Sequence, residues 1–198
     1  MKHVYRFLML AVLTLSVAHA QSINGRFVTS VYGWERQDAV GSETSHLRAY
    51  ENIQLNVGTG DVSFHTYLQG STDFSNEMSD DPQLRLFNVY LRVKNLFDMV
   101  DVKVGRQPLF AGVSYGTIDG AALTLRPVDG VEVMAYGGGL AAPQQKPDFF
   151  QDLPDNWQIG GQVLLYLIED TKIGLSYMNR HREATRYWTW RPDEQMNL

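Results

Sequence analysis

The stretch "LRAYENIQLNV", residues 47–57, alternates with a period of two. Leu47, Ala49, Ile53, Leu55 and Val57 fall on one side, and Arg48, Tyr50, Asn52, Gln54 and Asn56 on the other; Glu51 is the one polar residue on the apolar side. Successive side chains of a strand point to opposite faces, so this pattern is a ribbon with one oily and one wet surface. The pattern recurs. Phe87, Val89, Leu91 and Val93 oppose Asn88, Tyr90, Arg92 and Lys94; Val100, Val102 and Val104 oppose Asp101 and Lys103; Ile159, Val163, Leu165 and Leu167 oppose Gln158, Gln162 and Tyr166. Helical periodicity is almost absent after the first twenty residues. The chain is therefore expected to be all-β and antiparallel.

Ten strands are predicted, over 25–35, 46–57, 62–72, 84–94, 100–107, 117–126, 131–138, 157–168, 171–179 and 184–191. Four connections are short: 58–61, 95–99, 127–130 and 169–170. Longer polar connections are predicted over 36–45, 73–83, 108–116 and 139–156, with 180–183 brief. This alternation puts tight turns at one end of the sheet and long loops at the other.

The first twenty residues stand apart. Lys2 and Arg6 precede an apolar run from Phe7 to Val17, and Ala18-His19-Ala20 is a small-x-small cleavage site. That is the pattern of a secretory leader. The run is short for a spanning helix, which needs roughly 20 apolar residues. We read 1–20 as a cleaved leader and 21–198 as one barrel unit. No later segment resembles a transmembrane helix: the longest uninterrupted apolar run is six residues, Val163 to Ile168.

The leader carries two of the 17 Lys+Arg and none of the 22 Asp+Glu, so the rest holds 15 basic against 22 acidic residues, a net −7. A chain so charged has no surplus to neutralise phosphates, which argues against nucleic acid as a partner. There is no cysteine, so an exported chain must hold together without disulfides.

Export, strands of about ten residues and asymmetric connections together suit a transmembrane β-barrel, whose strands are roughly 9–11 residues long. Closure satisfies every backbone group inside the bilayer. Trp34, Phe97, Phe110, Trp157, Tyr187, Trp188 and Trp190 fall near predicted strand ends, where an interfacial girdle would sit. A soluble two-sheet sandwich would alternate in the same way. Strand length and loop asymmetry favour the barrel.

"RLFNVYLRVKNLF", "VDVKVGRQPLFAG" and "GTIDGAALTLRP" resemble outer-membrane porin-like barrel proteins of Gram-negative bacteria. The matching residues are Asn88, Tyr90, Gly105, Arg106, Gln107, Asp119 and Gly120, within 84–127. The resemblance implies an up-and-down transmembrane barrel in the outer membrane, of which this chain resembles the first part. Its partners would be lipid and lipopolysaccharide, the barrel assembly machinery and small polar solutes, with association of three chains among the expected assemblies. The ending "RPDEQMNL" departs from the terminal aromatic usual in such barrels.

In a barrel the polar face lines a lumen. Arg92, Lys94, Lys103, Arg126 and Lys172 lie towards the short-turn ends of their strands, with Asp101 and Glu132 among them. Two readings follow: a basic band that favours anions, or a ladder in which Asp101 and Glu132 pair with the bases. The acidic loops, with Asp73, Glu77, Asp80 and Asp81 in one and Asp148, Asp152 and Asp155 in another, lack the spacing of a calcium motif and read as solvated charge.

No cofactor, metal site or enzyme activity is expected. His46, His65 and His181 are scattered, and Asp80-Asp81 with His181 offer protease residue types without the motifs around them. The glycines after Val104 lack the lysine and spacing of a phosphate loop. They read instead as a strand end, a loop over 108–116 and a return to the sheet at Asp119-Gly120. By parity Arg106 faces outward, unless a bulge near Gly105 reverses it.

Overall fold

The computed structural model describes residues 22–37, 43–75, 83–150, 153–168 and 171–182. They form nine strands: β1 (Ser22–Gln37), β2 (Glu43–Thr59), β3 (Val62–Asp73), β4 (Leu84–Leu96), β5 (Val100–Ala111), β6 (Ser114–Val128), β7 (Val131–Leu140), β8 (Asn156–Ile168) and β9 (Thr171–Arg182). All nine belong to one antiparallel sheet in strict chain order. Each strand pairs with the next, the up-and-down arrangement that period-two patterning and short turns favour. One sheet with no second layer excludes the two-sheet sandwich for these residues. The tenth predicted strand, 184–191, lies outside the described residues, as do Tyr187, Trp188 and Trp190. So do Glu77, Asp80, Asp81 and Asp152.

Register decides which side chains share a face. Running across the strands, Asn56, His65, Tyr90 and Gly105 stand in one row. That row continues through Gly120, Gly138, Gln158 and Arg180. This is the polar face. The other face carries Ile23, Phe27, Val31, Leu91, Val104, Leu123, Ile159, Ile173 and Leu175, all exposed large apolar side chains. They reach from β1 to β9. An exposed apolar sheet face of this extent is foreign to a protein surrounded by water. In hydrocarbon it carries no such cost.

Phe87 departs from the alternation. The β3–β4 register slips between Tyr67 and Leu68, pairing Tyr67 with Asn88 and Leu68 with Leu86. Phe87 is the extra residue of that bulge. Its ring stacks on Tyr67, on the polar side, at 4.7 Å.

The larger correction concerns 108–116, expected to be a long loop. It is a hairpin. β5 continues to Ala111, β6 begins at Ser114, and only Gly112 and Val113 connect them. Gly112 has φ +59°, the left-handed value that tight hairpin turns demand of a first central residue. Pro108 and the dense glycines suggested a loop. Past Arg106, however, β5 has no further pairing with β4, and an unpaired edge tolerates proline. On the other side β6 pairs with β7 only from Ile118 onward. The tip, residues 107–117, has therefore left the wall on both sides.

The tip lies over the polar face. Ser176 Oγ of β9 accepts a hydrogen bond from Val113 N at 3.2 Å. Arg180 donates to the Tyr115 carbonyl at 3.3 Å, and Gln158 donates to Ser114 Oγ at 3.2 Å. Ser114 and Tyr136 also hydrogen-bond through their hydroxyls. Beneath the tip Leu109, Ala111, Ile118, Ala122 and Tyr136 form a small buried core, with Met134 packed against it. Phe110, expected near the membrane boundary, is thus on the tip. It is exposed and meets Tyr115 edge-on at 5.4 Å.

Candidate functional site: a polar face crossed by a folded-in hairpin

The polar face carries a dense set of hydrogen-bonding side chains among the described residues. On β2 and β3, Arg48 is paired with Asp73 through two contacts, the longer 2.6 Å. Asp73 is therefore an ion-paired strand residue and not a solvated loop charge. Asn52 accepts from Gln69 at 3.0 Å. His65 is held at both ring nitrogens, by Asn56 at 2.7 Å and Ser63 at 2.9 Å. It stacks on Tyr90 at 4.7 Å.

The charges at the short-turn end are brought together in part. Asp101 accepts from Arg92 at 2.9 Å and from Arg126 at 3.4 Å. Its second oxygen accepts from Asn95 N at 3.1 Å. Arg126 also donates to Glu132 at 3.2 Å. Two arginines and two carboxylates thus form a ladder. Lys103 lies across from Arg92 in the ladder of strands, with no carboxylate within 4 Å among the described residues. Lys94 lines an open hollow with Ser63, His65, Asp61 and Arg92. Lys172 is apart on β9, its ammonium 5.3 Å from the Tyr166 ring centroid. The face is a mixed field: an arginine–carboxylate ladder flanked by lysines.

The family-like residues converge. Tyr90 stands opposite Gly105, and Gly105 opposite Gly120. Arg106 stands opposite Asp119, between Val89 and the β6 strand. Gly105 has φ +122°, and a Cβ there would land on the Val89 carbonyl oxygen. Only glycine permits both the backbone angle and this approach. Gly120 would place a Cβ 2.6 Å from Gly138 Cα, so β6 and β7 touch backbone to backbone where the tip departs. Gln107 donates to the Lys103 and Gly120 carbonyls, each at 3.3 Å. Asn88 adjoins on β4, its carbonyl accepting from Thr66 at 3.3 Å.

Arg106 keeps its outward parity, since the β5–β6 register runs unbroken through Gly105. It is nevertheless 0% exposed. The hairpin's inward course leaves a gap in the wall, and the connection between β7 and β8 fills it. A short 3-10 turn over Pro143–Gln145 contacts β4, and the Lys146 and Asp148 carbonyls close over Arg106. Sequence reasoning missed Tyr136, Gln158, Ser176 and Arg180 as partners of the tip. The signal was there only in part: Gln158 and Ser176 sit on the polar face by parity, but nothing local says what they meet.

These features define an all-β protein of up-and-down antiparallel strands, of the barrel type. No protein-family model matches the chain, and no curated protein does. Among solved structures the fold is similar to OccAB1 of Acinetobacter baumannii, an outer-membrane barrel. The TM-score is 0.50 at 14% identity, over 82% of this chain and 45% of that one. The chain thus spans less than half the length of that structure. At this identity the likeness is one of fold, and it fits a porin-like barrel.

Proposed function

We propose that this chain contributes the wall and constriction of an outer-membrane pore for small polar or anionic solutes. The observation that carries the reading is the β5–β6 tip lying across the polar face, while the opposite face carries exposed large apolar side chains from β1 to β9. A lipid-facing exterior, a wet interior and an element narrowing that interior are what a size-selective channel requires. The likeness to OccAB1, an outer-membrane channel, supports a porin-like role.

Selection would be by size at the tip and by charge along the face. Solutes would pass between the hairpin and the walls bearing Arg92, Lys103 and His65. The mechanism needs no bound cofactor and no reaction. Export through the cleaved leader, insertion into lipid facing lipopolysaccharide, folding by the barrel assembly machinery and association of three chains belong to this proposal.

Two measurements test it. Cell fractionation should recover the full chain in the outer membrane, with gel mobility that shifts on heating. Planar-bilayer recording should show discrete conductance steps. Recovery in the soluble periplasm, or a folded membrane-inserted protein without steps, would overturn the pore.

A further inference from the structure

Arg106 has five N–H donors, and every one meets an acceptor. Nε and Nη2 grip the two Asp119 oxygens at 2.6 and 2.7 Å. Nη1 donates to the Leu86 carbonyl of β4 at 3.1 Å and to the Lys146 carbonyl at 2.6 Å. The remaining Nη2 proton goes to the Asp148 carbonyl at 2.7 Å. The Phe149 ring covers the guanidinium, its centroid 4.7 Å from Cζ. One side chain thus joins β4, β6 and the β7–β8 connection.

A buried ion pair is a weak source of net stability but a strong geometric constraint, because losing one partner strands a charge away from water. The constraint sits at a telling place. Arg106 is the last β5 residue paired with β4. One residue on, the hairpin leaves the wall. The bonds to Ser176, Gln158 and Arg180 hold the far end of the tip. They do not touch its root.

We infer that Arg106 is a positioning residue for the constriction: the Arg106–Asp119 clamp sets the angle at which residues 107–117 cross the polar face. It touches no solute. Its effect is on the aperture left beside the tip, and in that respect the inference rests on the pore reading. Lysine is a poor substitute, since an ammonium has three donors at one point and cannot form the planar fork that meets Asp119 and three carbonyls.

The absence of cysteine gives a clean test. Ala111→Cys puts a single thiol on the underside of the tip, where Ala111 is 1% exposed. The full chain, folded into vesicles, is treated with a water-soluble methanethiosulfonate, and single-channel conductance is recorded from the same preparation. Arg106→Gln with Asp119→Asn removes the clamp without stranding a charge. It should speed thiol modification at least tenfold over Ala111→Cys alone and alter the conductance step, with heat-shifted mobility retained. Arg106→Lys should fall between. If the double variant no longer folds, Phe149→Ala decides, by wetting the guanidinium and speeding modification about threefold. An unchanged thiol rate in a folded clamp variant overturns the inference. A parent protein that conducts nothing overturns the pore, while the thiol rate still decides the clamp.

Discussion

Asp101 offers the sharpest test of charge selection on the polar face. Its carboxylate is shared by Arg92 at 2.9 Å and Arg126 at 3.4 Å, so it quenches two cations at once. Asp101→Asn keeps an oxygen for the Asn95 N–H but deletes the charge, making the face one unit more positive. For an anion passing about 7 Å away in water, one charge is worth ~0.6 kcal/mol before screening. Screening trims this to a factor of about 2 in 0.01 M salt, about 1.6 in 0.1 M and about 1.1 in 1 M. The anion gains this factor and the cation loses it, so reversal potentials across a salt gradient should show the anion:cation permeability ratio rising about fourfold in dilute salt, with the gain nearly vanishing in concentrated salt. Lys103→Gln should move the ratio the other way by a similar factor, since no carboxylate lies within 4 Å of Lys103 among the described residues. A ratio unmoved by either variant, or moved equally at all salt concentrations, would refute the placement of these charges along the ion path.

Three further outcomes are expected. Gly120→Ala forces a Cβ into the Gly138 backbone; as an overpacked site it should cost about 1–3 kcal/mol, seen as a lower temperature for the gel-mobility shift. Leu109→Ala empties part of the core beneath the tip and should cost about 2–5 kcal/mol; current recordings from the folded fraction should be noisier, and an unchanged urea midpoint would argue against the packing. Leu175→Arg, at a position 78% exposed on the apolar face, should reduce the folded fraction in lipid vesicles by up to about 2–4 kcal/mol if that position lies near the bilayer midplane. The polar-face change Gln54→Arg should be tolerated. Equal tolerance of both would mean the apolar face does not meet hydrocarbon.

Much of the wall was legible because period-two patterning is a local signal. Residues 47–57 declare their two faces without reference to any partner, and β2 pairs as that pattern requires. For Arg92, Asp101, Arg126 and Glu132 the sequence allows both a basic band and a ladder, and register brings those groups within bonding distance. Phe87 defeated the pattern because a bulge depends on the neighbouring strand's register, which one strand's sequence does not contain.

The hairpin shows where local reading stops. Glycines and a proline over 105–116 mark broken regularity, and that is true of a loop and of a strand pair leaving a sheet alike. What separates them is whether β4 and β7 still supply partners, a question about strands outside the segment. The all-β character, the two-faced strands and the short turns can be read from the letters, because propensity and alternation act within a few residues. Contacts between distant strands set three further outcomes: the tip turns inward, Tyr136, Gln158, Ser176 and Arg180 receive it, and an outward-parity arginine ends up buried. The last of these rests on carbonyls at Leu86, Lys146 and Asp148, which are backbone groups common to every residue type and therefore invisible in the letters of the chain.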